Sequence, residues 1–102
     1  MIKIIFKQTE MYYRLEVKGH AYYDVPGKDI VCAAVSAITQ ALALKLDKIH
    51  LSEEILTYNG QLDMLVKRQK DKEEILEALF DMAITYLVEL ENHYPEHVKV
   101  FL

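Results

Sequence analysis

The sequence predicts an α+β fold, a single domain over residues 1–102 in which a mostly antiparallel sheet packs with two helices in the order ββαββαβ. Three observations predict it. Two short segments with a two-residue hydrophobic period open the chain. A long apolar run with helical spacing follows Asp29. Two further strand-like segments then flank Asn59-Gly60, a pair suited to the tight turn of a hairpin, ahead of a second helical pattern.

Ile2 to Lys7 alternates with Ile2, Ile4 and Phe6 on one face. After the polar turn Gln8 to Glu10, Tyr12 to Lys18 sets Tyr13, Leu15 and Val17 opposite Arg14, Glu16 and Lys18. Together they read as an antiparallel hairpin with one dry face. Gly19 ends the second strand and opens a loop to residue 28 that also holds Pro26 and Gly27. Asp29 is placed to cap a helix running to about Asp47, apolar nearly all round and so expected at the centre of the fold. Glu54 to Tyr58 and Gln61 to Arg68 form the second hairpin, with Leu62, Met64 and Val66 facing the core. Asp71 and Glu74 have capping-box spacing at the start of a helix reaching about His93, with Ile75, Leu76, Leu79, Phe80, Ala83, Tyr86, Leu87 and Leu90 as its apolar positions. Pro95 stops that helix, and His97 to Leu102 supplies a last strand.

A chain of 102 residues, 52% hydrophobic and 27% charged, builds one core and not two. Its net charge of −4 argues against general nucleic-acid binding and is compatible with a basic peptide partner. A single cysteine forms no intrachain disulfide. The chain begins on strand-like residues rather than a basic segment followed by an apolar one. The run from Ile30 to Leu44, interrupted by Ser36, Thr39 and Gln40, is short for a bilayer. A cytoplasmic protein with a free thiol and no membrane contact is the expectation.

The chemistry concentrates in residues 19–36. Cys32 falls in the first turn of the apolar helix, where the helix dipole favours a thiolate. His20 stands twelve residues upstream across a glycine-bounded loop, a candidate general base. Against this stands the ordinary habit of a buried cysteine, which acts as a small hydrophobe. Asp29 either caps the helix or also orients His20, and Asp24 is a second candidate for that orientation. Ser36, one turn beyond Cys32, either hydrogen-bonds near the thiol or satisfies itself on a backbone carbonyl. Tyr22 and Tyr23 line an apolar peptide pocket or anchor the loop. No metal site and no cofactor are expected: Pro95 breaks the helix that would align His93 with His97, one cysteine gives no zinc framework, and no phosphate-binding glycine loop is present.

Gly19-His20-Ala21 and Gly27-x-Asp29-Ile30-Val31-Cys32-Ala33-Ala34-Val35-Ser36 resemble the Prp family of ribosomal-processing cysteine proteases, and the likeness extends along the chain in length and element order. The resemblance implies a homodimeric endopeptidase that removes a short N-terminal extension from large-subunit ribosomal protein number twenty-seven. It implies Cys32 as nucleophile, His20 as base, Asp29 and Ser36 as supporting residues, and the Gly19–Gly27 loop, with Tyr22 and Tyr23, as the cover of the substrate groove. Tyr22-Tyr23-Asp24-Val25-Pro26 replaces what is often a smaller, glycine-containing run in that family. Backbone N–H groups at the helix start are expected to stabilise the oxyanion, each such donor worth about 3 kcal/mol. The alternatives are a non-catalytic module that binds ribosomes through a structural cysteine and a redox-sensing thiol. An inert Cys32 would favour the first, and the lack of a resolving cysteine counts against the second.

Overall fold

Alternation carries β1 (Ile2–Gln8) and β2 (Tyr12–Lys18), which pair antiparallel with Ile4 opposite Val17 and Phe6 opposite Leu15. The turn between them is fixed by Thr9, whose hydroxyl accepts the Met11 and Tyr12 N–H groups at 3.1 Å each. This computed structural model describes residues 1–51, 54–58 (as backbone) and 61–102. The second hairpin is present as β3 (Glu54–Tyr58) antiparallel to β4 (Gln61–Lys67). The Asn59-Gly60 turn expected between them lies outside the described residues.

The strands form one sheet in the order β3-β4-β2-β1-β5. β4 lies antiparallel to β2, with Leu15 opposite Met64. The last strand, β5 (Val98–Phe101), runs parallel to β1, pairing Ile2 with Val98 and Ile4 with Val100. Ile2, Ile4, Tyr13, Leu15, Val17, Leu62, Met64, Val66 and Val98 are buried on one face. The other face carries Arg14 bonded to Glu16 at 2.8 Å and to Asp63 at 3.0 Å, with Lys18 beside Glu16. Both helices therefore cover the same face, the two-layer solution for a sheet with one dry side.

α1 (Ile30–Lys48) follows its Asp29 cap as expected. It is not enclosed, however. Val31, Val35, Leu42 and Leu46 pack into the core, while Ile30 and Leu44 are 56% and 71% exposed. A helix hydrophobic all round has two apolar sides, and this fold covers one of them. At 19 residues α1 also has the length and composition to cross a bilayer, contrary to the reading from Ile30 to Leu44 alone, although its inner side is packed on the sheet.

The capping box at Asp71 does not form. Lys70–Lys72 makes a 3₁₀ turn closed by the Lys72 N–H on the Gln69 carbonyl, and α2 (Glu73–His93) begins after it with no side-chain cap. Glu73 and Glu74 meet the positive end of the helix dipole instead, and Glu73 also binds Arg68. Leu76, Phe80, Ala83, Leu87 and Leu90 face the core, and Ile75 and Tyr86 of the expected stripe stay about half exposed. The Phe80 ring stacks on Tyr13 at 4.7 Å and Phe6 at 5.6 Å. That cluster fixes α2 over β1 and β2, and so fixes where the chain emerges at Tyr94 for its return along β1.

Candidate active site

The end of β2 turns away from the sheet because Gly19 has φ +89°, and a Cβ there would stand 2.6 Å from the Met1 carbonyl oxygen. No other residue fits so close to β1. The loop then returns to α1 through a second positive-φ glycine, Gly27, which faces open space. Tyr22 also adopts a left-handed φ of 53°, an unfavourable geometry for a side chain of its size.

One carboxylate holds this loop onto the helix. Asp29 Oδ1 accepts the Val31 and Cys32 N–H groups, each at 3.0 Å, and Oδ2 accepts those of Tyr23 at 3.0 Å and Asp24 at 3.4 Å. Burial would raise its pKa, but the N–H groups of Cys32, Tyr23 and Asp24, together with the Cys32 side chain, outweigh that and hold Asp29 below the ordinary aspartate value. Asp29 is thus both cap and loop tie. It is not bonded to His20, and Asp24 instead accepts the Val25 N–H at 2.7 Å. Among the described residues no carboxylate hydrogen-bonds the His20 ring.

Two clefts meet at Cys32, His20 and Ser36. One, of about 290 Å³, is lined by the buried Ile2, Val17, Val35 and Leu62, with Gly19, Thr39, Gln40 and Gln61. The other, of about 580 Å³, is lined by Tyr22, Asp24, Pro26, Gly27, Asp29 and Ala33. Both contain His20 and Cys32, so the structure brings the two candidates to one place. No hydrogen bond joins them among the described residues. The His20 ring leans on Tyr22, 5.8 Å between centroids. Ser36 lies on the cleft wall, and its carbonyl accepts the Thr39 hydroxyl at 3.3 Å. Tyr23 departs from the expected groove lining. Its ring packs edge-on against Tyr94 and His97, 5.4 Å from each, and anchors the loop.

The expected oxyanion donors are occupied. Val31 and Cys32 give their N–H groups to the Asp29 side chain, and Ala33 gives its own to the Asp29 carbonyl at 3.1 Å. The N–H that meets the sulfur comes from the loop: Ala21 N donates to Cys32 Sγ at 3.3 Å. On its other side the Ala21 carbonyl is bonded to His97 Nδ1 at 2.7 Å. Ala21 and His97 are the site residues that sequence reasoning missed. Ala21 stands out only as part of the Gly19-His20-Ala21 motif, and His97 only as a histidine after the helix-stopping Pro95.

This arrangement suits attack on an amide: an accessible sulfur, an imidazole in the same cleft, and a groove passing both. Comparison with known proteins gives the chemistry a family. The family model described as cysteine protease Prp matches residues 1–99. The ribosomal processing cysteine protease Prp of Mycoplasma genitalium is 32% identical over 102 residues, covering 98% of this chain and 94% of its own length. The S. aureus ribosomal processing protease Prp with a covalently linked product peptide shares the fold at a TM-score of 0.81 and 19% identity, covering 98% of this chain and 97% of that one. The same S. aureus protease with a substrate peptide gives 0.76 at 18% identity over 99% and 98%, and SMU.848 from Streptococcus mutans gives 0.73 at 24% identity over 98% and 91%. With the match running over residues 1–99 and the Mycoplasma relative aligned along nearly its whole length, the chain belongs to the Prp family of ribosomal processing cysteine proteases.

Proposed function

We propose that this cysteine protease removes the N-terminal extension of large-subunit ribosomal protein number twenty-seven, acting in the cytoplasm as a homodimer with Cys32 as nucleophile and His20 as general base. The observation that carries the proposal is the meeting of two clefts at Cys32 and His20, which gives an extended peptide room on both sides of a scissile bond. The apolar lining by Ile2, Val17, Val35 and Leu62 suits apolar side chains of an extended peptide.

In this reading His20 takes the Cys32 thiol proton, and the thiolate pair forms the C–S bond while the carbonyl π pair moves to oxygen. Collapse of that oxyanion breaks the C–N bond, and the imidazolium of His20 gives its proton to the leaving amine. Water then adds to the thioester, with His20 taking its proton, and the thiolate leaves. The Gly19–Gly27 loop covers the substrate, with Tyr22 on the groove and Tyr23 and Asp29 holding the loop down. The bare side of α1, with Ile30 and Leu44 at its two ends, supports the homodimer.

A peptide carrying the ribosomal protein's N-terminal extension, incubated with the purified protein and read by mass spectrometry, tests the proposal. One cut is expected from the wild type and none from Cys32→Ala. His20→Ala is expected to lose about 10²–10⁴ in kcat, the usual worth of a positioned acid–base. Full cleavage by Cys32→Ala would remove Cys32 as nucleophile, and no cleavage by the wild type would remove this substrate.

A further inference from the structure

The contact that aims a donor at the nucleophile comes from outside the 19–36 stretch. Ala21 is buried at 1% exposure, and its peptide is used on both sides: the N–H meets Cys32 Sγ at 3.3 Å, and the carbonyl meets His97 Nδ1 at 2.7 Å. A carbonyl oxygen only accepts, so His97 carries its proton on Nδ1 and donates. His97 is itself well held. Its N–H bonds the Tyr94 carbonyl at 2.9 Å, its carbonyl accepts the Ile2 N–H at 2.8 Å, and its ring stands 5.4 Å from that of Tyr23. The neighbouring N–H donors of Val31, Cys32 and Ala33 are already committed to Asp29.

We propose that His97 is a positioning residue of this site: by gripping the Ala21 carbonyl it fixes the Ala21–Tyr22 peptide and, through the Ala21 backbone angles, the preceding peptide whose N–H points at the Cys32 sulfur and stabilises the thiolate. Each peptide group is planar, so holding the Ala21 oxygen reaches the Ala21 N–H, which lies on the preceding peptide, through the two Ala21 backbone angles. Without the grip those angles relax, and the donor swings off the sulfur. A hydrogen bond to a charged acceptor is about twice as strong as a neutral one, so the aim matters most for the ionised thiol. This rests on the reading of Cys32 as nucleophile.

The test is alkylation of Cys32 by iodoacetamide at pH 7. Cys32 is the only cysteine, so the label reports on it alone. His97→Phe keeps a ring against Tyr23 and lacks the donor; His97→Asn keeps a donor the same number of bonds from the backbone as Nδ1. His97→Phe is expected to alkylate about three- to tenfold more slowly than wild type, the effect of a lost charge-assisted hydrogen bond. His97→Asn is expected to recover most of the rate, with both variants as folded as wild type by circular dichroism. In peptide cleavage, His97→Phe is expected to lower kcat while leaving KM within about twofold, because the lost interaction acts on the reacting sulfur and not on substrate binding. Equal alkylation by wild type and His97→Phe overturns the proposal. So does failure of a folded His97→Asn to recover the rate, or a rise in KM at unchanged kcat. If His97→Phe does not fold, His97→Leu, which also lacks the donor, takes its place: an alkylation rate equal to wild type overturns the proposal, and a slower rate that His97→Asn recovers upholds it. Alkylation needs no substrate, so it judges the His97 contact even where wild type leaves the ribosomal peptide uncut, an outcome that counts against the proposed substrate alone.

Discussion

Asp29 gathers four backbone N–H groups onto one side chain, two from the helix and two from the loop. Asparagine at this position keeps a capping oxygen but turns an N–H₂ toward one of those donor pairs. Losing the hydrogen bonds of that pair, Asp29→Asn is therefore expected to cost about 1 kcal/mol at pH 7, a fall in Tm of about 4–8 °C for a domain of this size. The sign of its pH dependence follows from the lowered pKa of Asp29. A carboxylate held below its unfolded value stabilises the fold fully above that unfolded value, about 3.9, and loses the contribution as pH falls through the lower native value. The gap between wild type and Asp29→Asn should be widest at pH 7 and narrow toward pH 2. Thermal melts across that range check it, and a constant gap contradicts it. The cap at Asp29 and the placement of Cys32 in the first helical turn were legible in the sequence because each is set by local spacing, whereas the shared cleft with His20 appears only in the fold. The second pair of bonds on Asp29 was not, because Tyr23 and Asp24 reach it only once the loop has folded back. The same holds for the oxyanion donors: a helix start advertises free N–H groups, and sequence alone does not show that its own cap has taken them.

Elements were legible where a period or a turn signal ran uninterrupted. The strands and both helices fall within a residue or two of their expected bounds, since alternation and the Asp29 and Pro95 boundaries are strong local signals. Asp71 misled because Lys70–Lys72 winds as a 3₁₀ turn first, which moves the helix start beyond the reach of its side chain. The loop's two glycines allow a graded test of why this element has its shape. Gly27→Ala meets only the backbone penalty of φ +87°, about 1 kcal/mol, since a Cβ there enters open space. Gly19→Ala meets a similar penalty and also drives its Cβ into the Met1 carbonyl, which belongs to backbone and cannot swing aside. Urea denaturation should therefore show Gly19→Ala losing clearly more stability than Gly27→Ala. Equal losses would mean that β1 gives way at its start and that the loop geometry is not set by this approach.

At the scale of the molecule, the order of strands was the least legible property. Nothing local tells β2 to pair with β4, or β5 to run parallel beside β1; both pairings follow from closing one apolar face, a choice that only the whole chain decides. The bare side of α1 is likewise a property of the assembled fold, because a periodic pattern records that a side is apolar and not what covers it. If a second copy covers it, Leu44→Asp should convert a dimer to a monomer in sedimentation equilibrium while the circular dichroism spectrum stays native. A dimer that survives this change places the interface elsewhere. The parallel placement of β5 has a further consequence, in the order of synthesis. A ribosome makes Cys32 and His20 early and adds His97, 76 residues after Ala21, only when nearly all of the sheet has been made. On the proposed role of His97, a nascent chain carries Cys32 without the contact that aims a donor at it until residue 97 has been added and β5 has paired with β1.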